Sequence, residues 1–503
     1  RVLVLSGIVT LLTSAGSIDG AEGDLLLASS RQQPVKVTVK ANSDFAFDLY
    51  RQLAQENSDG NLFFSPYSIS QMLAMTAEGA RGQTAKEIGN VLRLPAACNR
   101  IGDDAQLMPW KTSLIHSGYS TLNKRLNSAQ TNPDYDAIRS QIKRLEKEHI
   151  ALDKRVAAHY AILGEWTGPR VKLDKKELDE VRRRRGEVYT EMTDLEASIS
   201  PYEVRVANAI WGEETYPFNQ TYVNMIEKHY KTSRIFPVDF RNNFAATRQR
   251  INDWCAKQTN NRIKDILPQL PQEQARTLRI ALTNAIYFRA DWDTKFNVGR
   301  TKVRDFTLAN GGKVKTSIMH GPKFSVRYAA FNADGSFFPT PTLVTHGQST
   351  GLYPNADGFA IAEVPYRGNE LSMLVIVPNH HSGLSAIEEN LNAANLSRWI
   401  QQLKQRRADI YLPKFKYEAT YSLKQTLTSM GMKQAFNVSA DFSGLSDSAT
   451  EPVYLGMFRH KAFVEVNETS TEAAAATASG GLFGGPPKIP FIPEFRADHP
   501  FLY

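Results

Sequence analysis

The residues with types and spacings suited to chemistry come first. Gly347-Gln348-Ser349-Thr350-Gly351 matches the G-x-S-x-G elbow, which lifts a nucleophilic serine out of a strand-to-helix turn. Pro339 and Pro341 precede it and Leu352-Tyr353-Pro354-Asn355 follows, which does not start a helix, so a hydrolase is not expected. His380-His381 is an adjacent pair, and neighbours on a strand point to opposite faces, so the two do not converge on one metal. No H-E-x-x-H is present. Cys98 and Cys255 are the only cysteines, too few for a disulfide framework and without metal-ligand spacing. Asn219, Asn395, Asn437 and Asn467 head N-x-S/T sequons, which matter only where the source glycosylates them. These residues point to no metal, no cofactor and no enzyme.

The run from Thr471 to Gly481 stands out for the opposite reason. Thr-Glu-Ala-Ala-Ala-Ala-Thr-Ala-Ser-Gly-Gly carries no reactive machinery and little apolar area. Small uncharged residues fall at 471, 473, 475, 477, 479 and 481, and alternate residues of an extended chain share a face. Such a strand offers a face with nothing bulky or charged on it. The same alanines read equally as helix or linker. Just upstream, Ala462-Phe463-Val464-Glu465-Val466 alternates as a strand should.

The flanks of this run resemble the serpins, the serine protease inhibitor superfamily. Glu468 through Ala478, followed by Phe495-Arg496-Ala497-Asp498-His499-Pro500-Phe501-Leu502, is similar to the serpin hinge and C-terminal signature. Upstream, Asn61-Leu62-Phe63-Phe64-Ser65-Pro66-Tyr67-Ser68-Ile69-Ser70, then Leu282-Thr283-Asn284-Ala285-Ile286-Tyr287-Phe288 with Trp292, then Leu412-Pro413-Lys414-Phe415 follow in the family's order. The similarity spans residues 42–108 and 200–502. It implies an α+β serpin fold: mixed β-sheets, eight or nine helices and an exposed reactive loop. It also implies a suicide-substrate inhibitor of a serine protease, in which the attacking serine belongs to the target. The cut loop then inserts as a new strand, a transition for which serpins are the known case.

By the same resemblance, Glu468, Ser470, Thr471, Glu472, Ala473, Ala474, Ala475, Ala476 and Thr477 form the hinge of the reactive loop, and Thr471 enters the sheet first. Lys414 pairs with Glu468 at the top of the sheet. Ser65, Ser68, Asn284 and His460 lie where the sheet parts, and Trp292 marks the point where insertion begins. Ser470 stands where inhibitory members usually carry glycine, which costs backbone freedom. Counting the family's usual loop length from Glu468 reaches Gly484-Gly485 as the scissile bond. One residue earlier, Phe483-Gly484 suits a chymotrypsin-like or elastase-like protease, and Lys488-Ile489 suits a trypsin-like one. In the family two further buried strands follow the position of Leu502, so a chain ending at Tyr503 is expected to be a fragment, with a truncated product as the alternative.

Length alone suggests about three domains, whereas the resemblance calls for one large domain, residues 42–503, with insertions. A hydrophobic content of 42% with 22% charged residues is ordinary for a soluble chain. A net charge of +8 permits attraction to polyanions without demonstrating it. Residues 1–17 read as the remnant of a signal peptide, with a buried strand as the alternative, so secretion to the extracellular space is expected. Residues 18–41 read as a flexible lead, and Ser43 or Asp44 as the cap of a helix with Phe45, Leu49 and Leu53 inward.

Residues 111–200 depart from the family. Apolar or near-apolar positions recur at Ile138, Ile142, Leu145, His149, Leu152, Val156, His159 and Leu163, and again at Leu178, Val181, Arg185, Val188, Met192, Leu195 and Ile199. Two heptad stripes joined across the turn at Gly164–Pro169 predict an antiparallel coiled-coil hairpin. Arg182, Arg183, Arg184 and Arg185 on its second arm offer a polyanion site, or else a solvated face beside Glu177, Asp179, Glu180 and Glu187. Residues 331–357, rich in Pro, Thr and Gly, read as a second, loop-like insertion. The expected partner is a serine protease, with a polyanion or a protein held by the hairpin as a second. No nucleic acid or membrane partner is expected, and the chain should be a monomer. The alternatives are a non-inhibitory serpin and a binding protein that works through the hairpin.

Overall fold

The alternating run at 202–211 and the long apolar run at 279–288 become adjacent strands, and the main sheet is built outward from them. A computed structural model describes residues 22–57, 60–127, 135–159, 173–199, 202–230, 233–345, 353–446, 452–468 and 488–503. The helices are α1 (Glu22–Glu56), α2 (Pro66–Gly79), α3 (Gly82–Val91), α4 (Ser113–Asn127), α5 (Tyr135–His159), α6 (Lys175–Ala197), α7 (Gln220–His229), α8 (Phe244–Gln258), α9 (Gln272–Ala275), α10 (Leu384–Asn390), α11 (Ala393–Gln402) and α12 (Leu423–Ser429). The strands are β1 (Tyr202–Glu213), β2 (Arg234–Val238), β3 (Ile280–Ala290), β4 (Lys302–Thr307), β5 (Lys313–Phe331), β6 (Phe337–Phe338), β7 (Leu343–Thr345), β8 (Phe359–Pro365), β9 (Ser372–Pro378), β10 (Lys404–Pro413), β11 (Phe415–Ser422), β12 (Leu455–Val466), β13 (Lys488–Pro490) and β14 (Glu494–Arg496).

The main sheet has five strands in the order β11-β12-β3-β1-β2. One face carries Ala281, Ala285, Tyr287 and Phe463 against Phe244, Ile251 and Cys255 of α8. The other carries Leu282 and Phe458 against Ile69, Met72 and Leu73 of α2 and the helices around it. α2 is buried almost from end to end: apolar residues such as Ile69, Met72, Leu73 and Met75 fill most of it, and the buried Ser68, Ser70 and Thr76 have hydrogen-bond partners. It starts where it does because Pro66 suits the first helical position and the Ser65 hydroxyl accepts from the Ser68 N–H at 3.2 Å. A second sheet of seven strands contains β14-β10-β5-β8-β9 with β4 and β6 added to β5. It meets the main sheet in a further core that joins Phe324, Val326, Val364 and Val375 to Val204, Ile286 and Val464.

Several expectations need correction. Residues 22–41 are not a flexible lead: α1 runs through them, with Val35, Thr38 and Val39 buried. Ser43 and Asp44 therefore lie inside α1 rather than at its cap, and Lys40 and Asp44 form an i,i+4 ion pair along it. Among the described residues there are twelve α-helices, a count that includes α5 and α6 of the inserted hairpin and the short α9, α10 and α12. Residues 113–127 belong to the main body rather than to the hairpin. α4 packs on α1, and Ile115, Tyr119 and Leu122 belong to the main core. The approach is close enough that a Cβ at Gly118 would meet Thr38 Oγ1 at 2.0 Å. The region 331–357 is not wholly loop, since it contains β6 and β7.

The hairpin helices are present. α5 and α6 run antiparallel, as Gln141 bonds Glu191 while Arg184 bonds Glu148 and Arg185 pairs with Asp153. Ile142, Leu145 and Leu152 of α5 share one apolar cluster with Leu178, Val181, Val188 and Met192 of α6. Asp174 and Glu177 build a reciprocal capping box that fixes the start of α6. The turn at Gly164–Pro169, like residues 1–17, lies outside the described residues.

Candidate functional site: the seam between β12 and β3

β12 pairs with β3 in parallel, whereas each has an antiparallel partner on its other side, β11 and β1. Nine register pairs, from Leu455 with Ile280 to Val464 with Phe288, close this joint. A chain that leaves β12 and turns back runs antiparallel to both strands. The parallel joint is thus the one place in this sheet where such a strand enters with antiparallel ladders on both sides.

Midway along the seam sits a buried polar cluster. His460 of β12 faces Asn284 of β3, and both are fully buried. His460 Nδ1 donates across the seam to Asn284 Oδ1, which also accepts from Ser68 Oγ at 2.9 Å. His460 Nε2 accepts from the Ser65 N–H at 3.2 Å. Asn284 Nδ2 donates to Asn208 Oδ1 on β1. The cluster therefore joins α2 to three strands, and burial pushes the His460 imidazole down to about 3. Asn208 was not singled out from the sequence. The one signal for it was a lone amide between Ala207 and Ala209 in an apolar strand.

At the top of the seam Trp292 stacks on Tyr366 at 4.7 Å, and its indole N–H donates to the Asn467 carbonyl at 2.9 Å. The Phe296 N–H donates to the Glu468 carbonyl at 3.2 Å. Lys414 Nζ donates to Glu468 Oε2 at 2.8 Å and Thr301 Oγ1 to Oε1 at 2.9 Å. Burial works to raise the Glu468 carboxyl, and the bonds from Lys414 and Thr301 outweigh it, leaving it below the usual range. The structure thus brings Ser65, Ser68, Asn284 and His460 into one cluster and Trp292, Lys414 and Glu468 into another. Thr301 is an addition that no sequence pattern flagged. Ser470, Thr471, Glu472, Ala473, Ala474, Ala475, Ala476, Thr477, Phe483, Gly484 and Gly485 lie outside the described residues.

Lys488 and Ile489 do not sit in an open loop. They belong to β13, which pairs antiparallel with β7, Lys488 opposite Thr345 and Ile489 opposite Val344. A protease reads its substrate as an extended strand, and this main chain already has a ladder partner. The sequence hid the pairing because Leu343-Val344-Thr345 is too short a run to declare itself.

The other candidates have ordinary surroundings. Arg182 lies 3.9 Å from Asp179 and Arg185 3.3 Å from Asp153, while Arg183 pairs with Glu187 and Arg184 with Glu148 at 2.8 Å. Each of the four thus has a carboxylate beside it, the arrangement of a solvated helix face rather than of a cation row open to a polyanion. His380 and His381 stack at 4.1 Å, and no group among the described residues could hold a metal ion. Burial raises the Cys98 thiol to about 11 and the Cys255 thiol to about 12, which leaves both unreactive. Residues 347–351 lie outside the described residues. No helix among the described residues is long and apolar enough to cross a membrane.

Comparison with known proteins agrees with this geometry. The chain is 32% identical over 467 residues to human Serpin B3, covering 92% of this chain and 94% of the relative. It is 29% identical over 468 residues to the leukocyte elastase inhibitor of Xenopus laevis, covering 92% and 93%. Its fold is similar to that of uncleaved ovalbumin, with a TM-score of 0.61 at 22% identity and coverage of 92% and 93%. The family model for Serpin (serine protease inhibitor) matches residues 40–146 and 171–503, so this chain is a member of the serpin family.

Proposed function

We propose that this serpin is a secreted suicide-substrate inhibitor of a chymotrypsin-like or elastase-like serine protease. The observation that carries the reading is the closed parallel joint of β12 and β3, with the chain leaving its top at Glu468. The protease attacks the loop through its own serine and becomes acylated to its N-terminal half. That half, Thr471 to Gly481, then enters the joint. Its small odd-numbered residues face the core beside Asn284 and His460, and Glu472 faces outward. The tethered enzyme is dragged along before water releases it. The ladder of β13 with β7 favours Phe483-Gly484 over Lys488-Ile489 as the bond attacked. The elastase inhibitor among its relatives supports the same preference.

Incubation with chymotrypsin, elastase and trypsin, followed by denaturing gels and mass spectrometry, tests this. An SDS-stable adduct with a released peptide beginning at Gly484 is the expected product. Cleavage without any adduct sinks the inhibitory reading. Thr471→Arg should separate the two fates: a charge that must cross the buried face leaves cleavage intact and lowers adduct yield by roughly tenfold or more, as about 1.4 kcal/mol against insertion requires. Secretion rests on the apolar stretch at residues 2–12. Expression of the full gene in a secretory host, with N-terminal sequencing of the product in the medium, tests it.

A further inference from the structure

The hairpin of α5 and α6 is tied to the main body by a cluster of ion pairs at the top of the seam. Arg139 of α5 pairs with Asp291, and the two residues are 7% and 1% exposed. Asp291 lies between the last residue of β3 and Trp292, whose indole holds Asn467. The other foot of the hairpin reinforces the tie. The Glu196 carbonyl of α6 accepts from Arg367 Nη1 at 2.6 Å, and its carboxylate pairs with Lys295 in the segment after β3. Glu146 of α5 lies 4.0 Å from the same Lys295. Arg367 in turn donates its main-chain N–H to the Asp291 carbonyl at 2.8 Å, and its guanidinium lies 3.8 Å from the Asp291 carboxylate.

Arg367 sits in the turn from β8 to β9, which belongs to the seven-stranded sheet rather than to the main one. Opening the seam means separating β3 from β12 by about one further strand spacing, ~4.8 Å. The end of β3 and Trp292 must then move, whereas β8 and β9 need not. The hairpin's feet bridge the part that must move and the part that stays. Buried charges are poorly screened, and a pair at this depth resists being pulled apart far more than a surface pair does.

We propose that Arg139, seconded by Glu196, is a positioning residue of the inhibitory reaction: through Asp291 it holds Trp292 at the top of the closed seam and so sets how fast the sheet opens. The proposal rests on the insertion reading above. It gives the hairpin a task in the inhibitory cycle, restraining opening until the loop is cut.

The test uses uptake of a synthetic peptide of residues 469–481 by the intact, uncut chain, followed by native mass spectrometry over time. Arg139→Met is expected to speed uptake by roughly tenfold, the upper range for mutations that tune coupling between distant sites. Glu196→Gln, which keeps shape and removes one charge, should speed it less. Arg139→Lys, which keeps the charge beside Asp291, should hold the rate within about twofold of the parent, which simple loosening of the fold would not do. Equal uptake by the parent, Arg139→Met and Glu196→Gln overturns this proposal alone. Uptake by none of them overturns the insertion reading and this proposal with it. If Arg139→Met does not fold, Glu196→Gln and Arg139→Lys decide the matter on the same readout.

Discussion

A single cut between Gly480 and Pro487 is expected to raise the melting temperature by about 10 °C, in a chain that a nick would ordinarily weaken. The reason lies in the ladder. Each residue of an inserted strand offers one N–H and one C=O, and the run from Thr471 to Gly481 would place them against β12 on one side and β3 on the other. That makes on the order of twenty bonds, from which the roughly nine of the parallel joint are lost, leaving about a dozen gained at ~1 kcal/mol net each. A gain on the order of 10 kcal/mol exceeds or matches the whole stability of many domains. The uncut form is then held by a barrier rather than by its depth. Unfolding entropy for a chain of this size is about 1 kcal/mol per degree, which converts the gain into the expected shift. Calorimetry before and after limited chymotrypsin digestion measures it. An unchanged or lowered transition in the cut protein removes the driving force, and the inhibitory mechanism goes with it.

The sequence disclosed different parts of this arrangement for different reasons. Strands such as β1, β3 and β12 announced themselves because one or both faces are buried and their apolar residues follow. The seam cluster was legible only through the resemblance. A serine, an asparagine and a histidine hundreds of residues apart carry no periodic signal that predicts their meeting. α1 was misread at its start because the polar character of residues 18–41 suggested a weakly structured lead. The buried positions Val35, Thr38, Val39 and Asn42 nevertheless continue the stripe of Phe45 and Leu49. Part of the two stripes, such as Ile142, Leu145, Val181 and Val188, falls in the apolar cluster shared by α5 and α6, yet nothing in them announced the docking on Asp291. A long-range ion pair such as that of Arg139 depends on where the hairpin comes to lie, and local pattern is silent on it.

His460→Gln is expected to make the protein less stable at neutral pH and, at the same time, less sensitive to acid. The parent imidazole is neutral with its proton on Nδ1, since Nε2 accepts from a backbone N–H that cannot turn into an acceptor. Burial holds its pKa far below the ordinary histidine value, down to about 3, against the bond to Asn284, which works to raise it. An unfolded chain titrates this group near 6.5, so below that pH the unfolded state binds more protons than the folded one. Stability is therefore constant above about pH 6.5 and is lost as the pH falls toward 3, by about 2 kcal/mol already at pH 5. Burial lowers His229 and His320 as well, and they share the sign, which is why the variant is needed to isolate His460. Urea unfolding at pH 7 should show His460→Gln roughly 2 kcal/mol below the parent, the cost of an imperfect replacement in a buried network. Between pH 7 and pH 5 the parent should lose about 2 kcal/mol more than the variant does. Equal losses would mean that His460 is not held neutral. Nε2 would then not be the acceptor that holds the Ser65 N–H, and acid would have no means of loosening the cluster at that level.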